Sequence, residues 1–77
     1  MAKKIFIGEL SGVTTQAGLE SAFSSYGTIE RAYINTDPAS GAKSGNVDYT
    51  TDAAGDAAIA GMNGAVLDGV TLVVRPA

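Results

Sequence analysis

Residues 4–35 read KIFIGELSGVTTQAGLESAFSSYGTIERAYIN, and this stretch decides the fold because its hydrophobic pattern changes period twice. Residues 4–8 are rich in β-branched and aromatic side chains, which predicts a short strand. Over residues 16–26 the apolar side chains recur at steps of three and four, which predicts one face of a helix. Residues 29–35 return to a strand-like composition. The stretch therefore predicts a strand, a helix and a second strand.

Local signals mark the ends of this first helix. Thr14 and Thr15 each offer a hydroxyl that could cap its N terminus. Gly27 suits the left-handed conformation that commonly ends a helix. The helix is therefore expected to run from Gln16 to Tyr26.

The second half of the chain repeats the strand and helix pattern. Residues 37–41, DPASG, form a turn cluster. A third strand is expected over Asn46–Tyr49, starting near Ser44. A second helix follows, capped by Thr51 or Asp52, and it runs to about Met62 and ends at Asn63-Gly64. A fourth strand is expected over Val70–Arg75. Pro76 is expected to end the pairing of that last strand because it lacks a backbone donor.

The resulting order, βαββαβ, predicts an α+β fold of the ferredoxin-like type. It has a four-stranded antiparallel sheet with two helices on one face. A chain of 77 residues is long enough for one domain, so residues 1–77 are expected to form a single unit.

Composition excludes much catalytic chemistry. The chain has neither Cys nor His, so Ser-His-Asp triads, Cys-His pairs and thiolate or imidazole metal ligands cannot form. We therefore expect a protein that is not an enzyme and that uses no cofactor or metal. No apolar run approaches the ~20 residues that span a bilayer, and the run near the N terminus is too short for a signal peptide. The expected location is the cytoplasm, without membrane contact.

Several short motifs resemble those of the RNA recognition motif family. Ile5-Phe6-Ile7-Gly8-Glu9-Leu10 is similar to the family's hexapeptide, and Tyr26-Gly27, Met62-Asn63-Gly64 and Leu67-Asp68-Gly69 follow in the family's order and spacing. The resemblance covers essentially the whole chain. It implies the fold deduced above and the binding of single-stranded RNA on the open face of the sheet, with a base stacked on the aromatic ring of Phe6.

The third strand departs from the family pattern. Its octapeptide aligns with residues 42–49, AKSGNVDY, where Ser44 and Asn46 replace the two surface aromatics and Ala42 replaces a basic residue. Glu9 also stands where the hexapeptide usually has Asn. Each stacked base is worth roughly 1–3 kcal/mol, so the loss of two aromatic platforms predicts weak binding.

Strand alternation sorts the side chains into two sets. The set expected to face the helices and form the core is Ile5, Ile7, Ala32, Ile34, Val47, Tyr49, Leu72 and Val74. The set expected on the open face is Lys4, Phe6, Arg31, Tyr33, Asn35, Ser44, Asn46, Asp48, Thr71, Val73 and Arg75, with Lys43 flanking it. The chain carries a net charge of −3, which argues against a nucleic-acid ligand. The open face nevertheless receives three of the five basic residues and one of the eight acids, and is predicted to be locally positive.

The candidate residues for nucleic-acid binding follow from this sorting: Lys4, Phe6, Arg31, Tyr33, Lys43, Ser44, Asn46 and Arg75. Phe6 and Tyr33 would stack bases and the four cations would contact phosphates. The polar side chains of Ser44 and Asn46 would hydrogen-bond base edges or keep the sheet soluble.

Two other functions fit the same sequence. The replaced aromatics are also compatible with a protein-interaction or dimerisation module that has lost nucleic-acid binding, with the acidic helix face as its docking surface. They are equally compatible with an engineered scaffold retained for its fold. The residues do not distinguish RNA from single-stranded DNA.

Overall fold

The structure, a computed structural model, describes residues 3–77. Met1 and Ala2, which belong to the expected domain and to the N-terminal stretch considered as a signal peptide, lie outside the described residues. The elements are β1 (Lys3–Leu10), α1 (Gln16–Phe23), a 3₁₀ turn (Ser24–Tyr26), β2 (Ile29–Thr36), β3 (Lys43–Tyr49), α2 (Asp52–Met62), β4 (Val66–Leu67), β5 (Val70–Thr71) and β6 (Val74–Pro76). Within the described residues no helix is long and apolar enough to cross a membrane.

The main sheet is antiparallel and has the strand order β2-β3-β1-β6. Both helices pack on one side of it, and the other side is open. The predicted ferredoxin-like α+β sandwich is therefore confirmed. β1 and β3 lie in the centre of the sheet, where each pairs with a strand on both sides.

Threonine hydroxyls begin both helices, as predicted. Thr15 Oγ1 accepts a hydrogen bond of 3.0 Å from the backbone N–H of Gly18, and Thr51 Oγ1 accepts one of 3.3 Å from Ala54. Each bond satisfies one of the free donors at a helix N terminus. The α-helix ends at Phe23, and the remaining predicted residues tighten into the 3₁₀ turn.

Gly27 ends this turn, although not in the left-handed helical conformation that the sequence suggested. Its φ of 157° and ψ of −177° belong to a region that is open essentially to glycine alone. A Cβ at this position would lie 2.5 Å from the Cβ of Ala54 on α2. The glycine is therefore required by the close approach of the turn to the second helix.

The predicted fourth strand is interrupted. Val70–Thr71 pairs with Val66–Leu67 in a separate hairpin, and only Val74–Pro76 joins the main sheet. The break occurs because the N–H of Leu72 bonds to the carbonyl of Ala65 at 2.8 Å, which draws the chain toward α2. Thr71 is therefore not on the open face, contrary to the sequence prediction.

The expected end of pairing at Pro76 was also wrong. Pro76 pairs with Ile5, and the N–H of Ala77 bonds to the carbonyl of Lys4 at 3.1 Å. Proline is compatible with this place because β6 is an edge strand, on which one side of the backbone needs no donor.

The core lies between the sheet and the helices. Its buried apolar side chains are Ile5, Ile7, Leu10, Leu19, Phe23, Ala32, Val47, Tyr49, Ala54, Ala58, Leu72 and Val74. Seven of the eight predicted core positions are among them, and the eighth, Ile34, is half-buried on edge strand β2 and packs against the same cluster.

Tyr49 is the largest fully buried side chain and carries a polar group into the core. Its hydroxyl donates a hydrogen bond of 2.6 Å to the backbone carbonyl of Phe23 at the end of α1. Burial raises the pKa of the Tyr49 hydroxyl above its ordinary value, so the group remains a donor. This bond ties the last residue of β3 to the C-terminal end of the first helix.

We expect Tyr49→Phe to lower the free energy of unfolding by about 0.5–1.5 kcal/mol, because it removes a buried hydrogen bond to the carbonyl of Phe23. Chemical denaturation measures this change. Tyr33→Phe is the matched control, since Tyr33 lies on the open face, and it should change stability by less than about 0.5 kcal/mol. Equal effects of the two substitutions would contradict the assignment.

Candidate nucleic-acid interface

Four residues of the open face form one row across the main sheet. Asn46 on β3 is the register partner of Tyr33 on β2 and of Phe6 on β1, and Phe6 is in turn the partner of Arg75 on β6. Directly opposed side chains in an antiparallel pair have Cβ atoms about 4.5–5.5 Å apart. The row Tyr33–Asn46–Phe6–Arg75, called here the central row, therefore places an amide between two aromatic rings and a guanidinium at one end.

Arg75 and Phe6 are in direct contact within the central row. The guanidinium carbon of Arg75 lies 4.9 Å from the centroid of the Phe6 ring, which is the geometry of a cation–π pair. Phe6 is half-buried, and Tyr33 retains 37% of its accessible surface. Arg75 and the ring thus form one composite platform, which can offer both a π face and a positive charge.

A second row lies two residues further along the strands. Asp48 on β3 is the register partner of Lys4 on β1 and of Arg31 on β2. This row, Arg31–Asp48–Lys4, is called here the charged row. It places one carboxylate between two cations on the same face as the aromatic rings.

The remaining cations of the described chain are engaged on the helix side. Lys3 forms an ion pair of 3.3 Å with Asp56 on α2. Lys43 shares the strand face of Gly45 and Val47, which point toward the helices, and its Nζ donates a hydrogen bond of 3.1 Å to the carbonyl of Gly12. The sequence predicted that Lys43 flanks the open face, whereas its strand position directs it to the other side of the sheet.

Ser44 lies on the open face as predicted, but at its end. It is half-buried and pairs with Asn35 of β2, one step beyond the central row. The β2–β3 turn next to it is tight, since Asp37 accepts a hydrogen bond of 2.9 Å from the N–H of Ala39. This bond lowers the pKa of the Asp37 carboxyl below its usual value. Ser44 thus belongs to the same face as the central row without extending it.

Val73 completes the apolar part of the open face, and the sequence analysis did not include it among the binding residues. It retains 46% of its surface, and its carbonyl accepts a hydrogen bond of 2.7 Å from Gly8. A Cβ built on Gly8 would lie 3.6 Å from Val73 and 3.7 Å from Phe6, so the two side chains flank the glycine. The alternation of side chains along the predicted fourth strand had already placed Val73 on this face, and it could have identified Val73 as a candidate binding residue.

The small hairpin beside this platform is anchored to the β1–α1 loop. The hydroxyl of Thr14, which is buried, donates a hydrogen bond of 2.7 Å to a carboxylate oxygen of Asp68. Asp68 and Gly69 both have positive φ, at 52° and 83°, as expected for a two-residue turn that joins twisted strands. This bond holds the hairpin against the body of the domain at the end of the sheet where Val73 and Gly8 meet.

Comparison with known proteins gives a consistent result. A family model described as RNA recognition motif matches residues 5–73. Glycine-rich RNA-binding protein 1 of Mycosarcoma maydis is 39% identical over 79 aligned positions, which cover 100% of this chain and 45% of that protein. Putative RNA-binding protein RbpE of Nostoc sp. is 39% identical, with 95% of this chain and 76% of the relative covered. The chain thus spans less than half of the fungal relative and about three quarters of the bacterial one.

One relative named as a mitochondrial protein and two solved structures are also similar to this chain. Glycine-rich RNA-binding protein 2, mitochondrial, of Arabidopsis thaliana is 37% identical, with 100% of this chain and 50% of the relative covered. The RRM3 domain of Mip6 superposes with a TM-score of 0.89 at 25% identity, covering 97% of this chain and 93% of that one. The RRM3 structure of Pes4 gives a TM-score of 0.88 at 27% identity, with 97% and 90% covered.

We expect Phe6→Leu to abolish the ring–guanidinium contact while it preserves an apolar side chain. In the wild-type protein the δ protons of Arg75 should resonate upfield because they lie near the face of the Phe6 ring. In the variant they should return to ordinary values, and stability should fall by about 0.5–1 kcal/mol. Proton NMR of the two proteins measures the shift. An ordinary Arg75 resonance in the wild type would contradict the stacked geometry.

Proposed function

The chain belongs to the RNA recognition motif family, and we propose that it binds single-stranded RNA weakly on the open face of its sheet. The observation that carries the proposal is the placement of two aromatic rings and three cations in the central and charged rows. We include in the proposal that residues 1–77 act as one binding domain and that the domain performs no catalysis.

Base stacking would supply the apolar part of the binding energy. The guanidinium of Arg75 lies over the Phe6 ring and Val73 lies nearby, so a base at this place would meet an aromatic ring, a positive charge and an apolar side chain together. Tyr33 lies two strands away, at about 10 Å, since neighbouring strands are separated by about 4.7–4.9 Å. Two separate bases could therefore stack on the two rings, with the amide of Asn46 between them.

Phosphate contacts would supply the electrostatic part. Lys4, Arg31 and Arg75 are the three cations of the open face, and Lys4 and Arg31 lie on the strands at either side of β3. Neutralising a phosphate releases condensed counterions, so such binding weakens as salt rises. The net charge of −3 does not oppose this role, because the acids are mostly placed elsewhere on the molecule.

Weak binding follows from what the third strand lacks. Ser44 and Asn46 occupy the places that stack bases in the family pattern. Each missing stack removes roughly 1–3 kcal/mol, so two of them remove about thirty-fold to ten-thousand-fold in affinity. Their remaining role would be hydrogen bonding to base edges.

RNA is proposed over single-stranded DNA because the relatives are named as RNA-binding proteins. The cytoplasmic location stays a prediction, since one of those relatives has a mitochondrial name. No observation on the helix side of residues 3–77 favours the protein-interaction alternative.

Phe6→Ala should weaken binding of a short single-stranded RNA of mixed sequence by roughly 1–3 kcal/mol, because it removes one stacking surface. An NMR titration followed residue by residue at low salt measures the affinity and maps it to the sheet. Val66→Ala is the control, since Val66 is exposed on the small hairpin and belongs to neither row. Absence of any shift on the open face in the wild type would refute the proposal. Unfolding of Phe6→Ala would instead assign Phe6 to the core.

Lys4→Gln should make the salt dependence of RNA binding shallower by about 0.7 in the slope of log K against log salt, which corresponds to one phosphate contact. Lys43→Gln is the matched control, because its ammonium is bound to the Gly12 carbonyl on the helix side. It should leave the slope unchanged. Fluorescence anisotropy at several salt concentrations measures both variants. A larger effect of Lys43→Gln than of Lys4→Gln would show that phosphates do not follow the open face.

A further inference from the structure

The charged row contains the one acidic side chain that the strand register places among the cations of the open face. Asp48 is the direct cross-strand partner of both Lys4 and Arg31. It is half-buried and lies on the middle of three neighbouring strands, with one cation on each side. A phosphate bound by both cations at once would have to lie over this carboxylate.

The row is not closed by a tight ion pair. Among residues 3–77 the ion pair of the structure joins Lys3 and Asp56, so Lys4 and Arg31 are not held by Asp48 in a close salt bridge. Both cations are exposed and their side chains remain available to a ligand. Asp48 would therefore act on a bound phosphate by electrostatic repulsion and not by forming salt bridges with Lys4 or Arg31.

From this geometry we propose that Asp48 is a built-in counter-charge that limits the affinity of the open face for phosphates. The inference rests on the proposed function, since it concerns the same face, and it names the residue that sets the strength and salt dependence of binding there. Asp48 lies within a Debye length, about 10 Å at 0.1 M salt, of any phosphate shared by Lys4 and Arg31. Its repulsion is therefore not screened out under ordinary conditions.

The size of the effect follows from Coulomb's law. Two like charges about 6 Å apart change binding by about three-fold in a water-like medium and by about ten-fold if the effective dielectric constant is halved. Removing the charge of Asp48 should therefore tighten binding of a single-stranded RNA by about three-fold to ten-fold. It should also steepen the salt dependence by up to about 0.7 in slope, because the two cations would then neutralise up to one more phosphate and release its condensed counterion.

Asp48→Asn is the test, because it removes the charge and keeps the shape of the side chain. Glu20→Gln is the matched control: it makes the same change in net charge on α1, on the other side of the sheet. Asp48→Glu retains the charge and should retain the wild-type affinity. The affinity of each protein for a mixed-sequence single-stranded RNA is measured by anisotropy over a range of salt, and thermal melting checks that each is folded.

A double variant tests whether Asp48 acts on a phosphate that Lys4 binds. If Asp48 acts on a phosphate held by Lys4, then the gain from Asp48→Asn should shrink at least two-fold when Lys4→Gln is already present. A change of fold or of net charge would give the same gain in both backgrounds. An undiminished gain would therefore overturn the assignment of Asp48 to the charged row.

A second probe separates this inference from the proposed function. Inorganic polyphosphate carries charge without bases, so it reports phosphate affinity alone. If the wild type binds RNA and Asp48→Asn binds neither RNA nor polyphosphate more tightly, then the inference fails and the proposed function stands. If no protein binds RNA, the proposed function fails, and tighter binding of polyphosphate by Asp48→Asn than by wild type would still support the inference. A weakened affinity of Asp48→Asn for RNA would overturn it in favour of a contact between the carboxylate and a base.

Discussion

The two-residue period of the central strands is the constraint on which both the fold and the proposed interface depend. On β1 the side chains of Ile5 and Ile7 are fully buried against the helices, while Phe6 between them lies on the open face. Because successive side chains point to opposite faces, a slip of one residue would exchange the core and the ligand surface together. The register is fixed at both ends of β3, by the bulge opposite Leu10 and by the bond from Tyr49 to α1.

This period also explains how the third strand can lose the family's aromatic residues without losing the fold. The positions that point toward the helices, Gly45, Val47 and Tyr49, fit the family pattern and are buried. The replaced positions, Ser44 and Asn46, point the other way, where no helix covers them. The residues that stabilise the domain and those that would bind a ligand thus alternate along one strand, and each set can change independently of the other.

The sequence predicts the parts of the fold that are governed by local chemistry. Threonine caps, the alternation of β1 and β3 and the tight turn at residues 37–41 follow from side chains that act within a few residues of themselves. The break in the fourth strand did not follow, because it depends on a bond from Leu72 to Ala65. Asp68-Gly69 was the available signal, since this dipeptide is typical of a two-residue hairpin turn.

The sequence predicts which residues belong to the candidate site, but it does not predict how they are arranged across the strands. Alternation places Phe6, Tyr33 and the three cations on one face, whereas the sequence does not say which residues of different strands are neighbours. The two rows are set by the register of β2-β3-β1-β6, which results from long-range pairing. Lys43 was expected to flank this face as a phosphate contact, whereas odd-numbered residues of β3 point to the helices.

The same arrangement resolves the conflict between an acidic chain and a polyanionic ligand. Glu20, Asp52 and Asp56 belong to the helices, which pack on the side of the sheet opposite the two rows. The sheet separates their carboxylates from a phosphate on the open face, and the charge of Asp56 is also offset by its ion pair with Lys3. Asp48 alone shares a strand row with the cations of the open face. The two rows together therefore carry three cations and one carboxylate, so their local charge is positive although the net charge of the chain is −3.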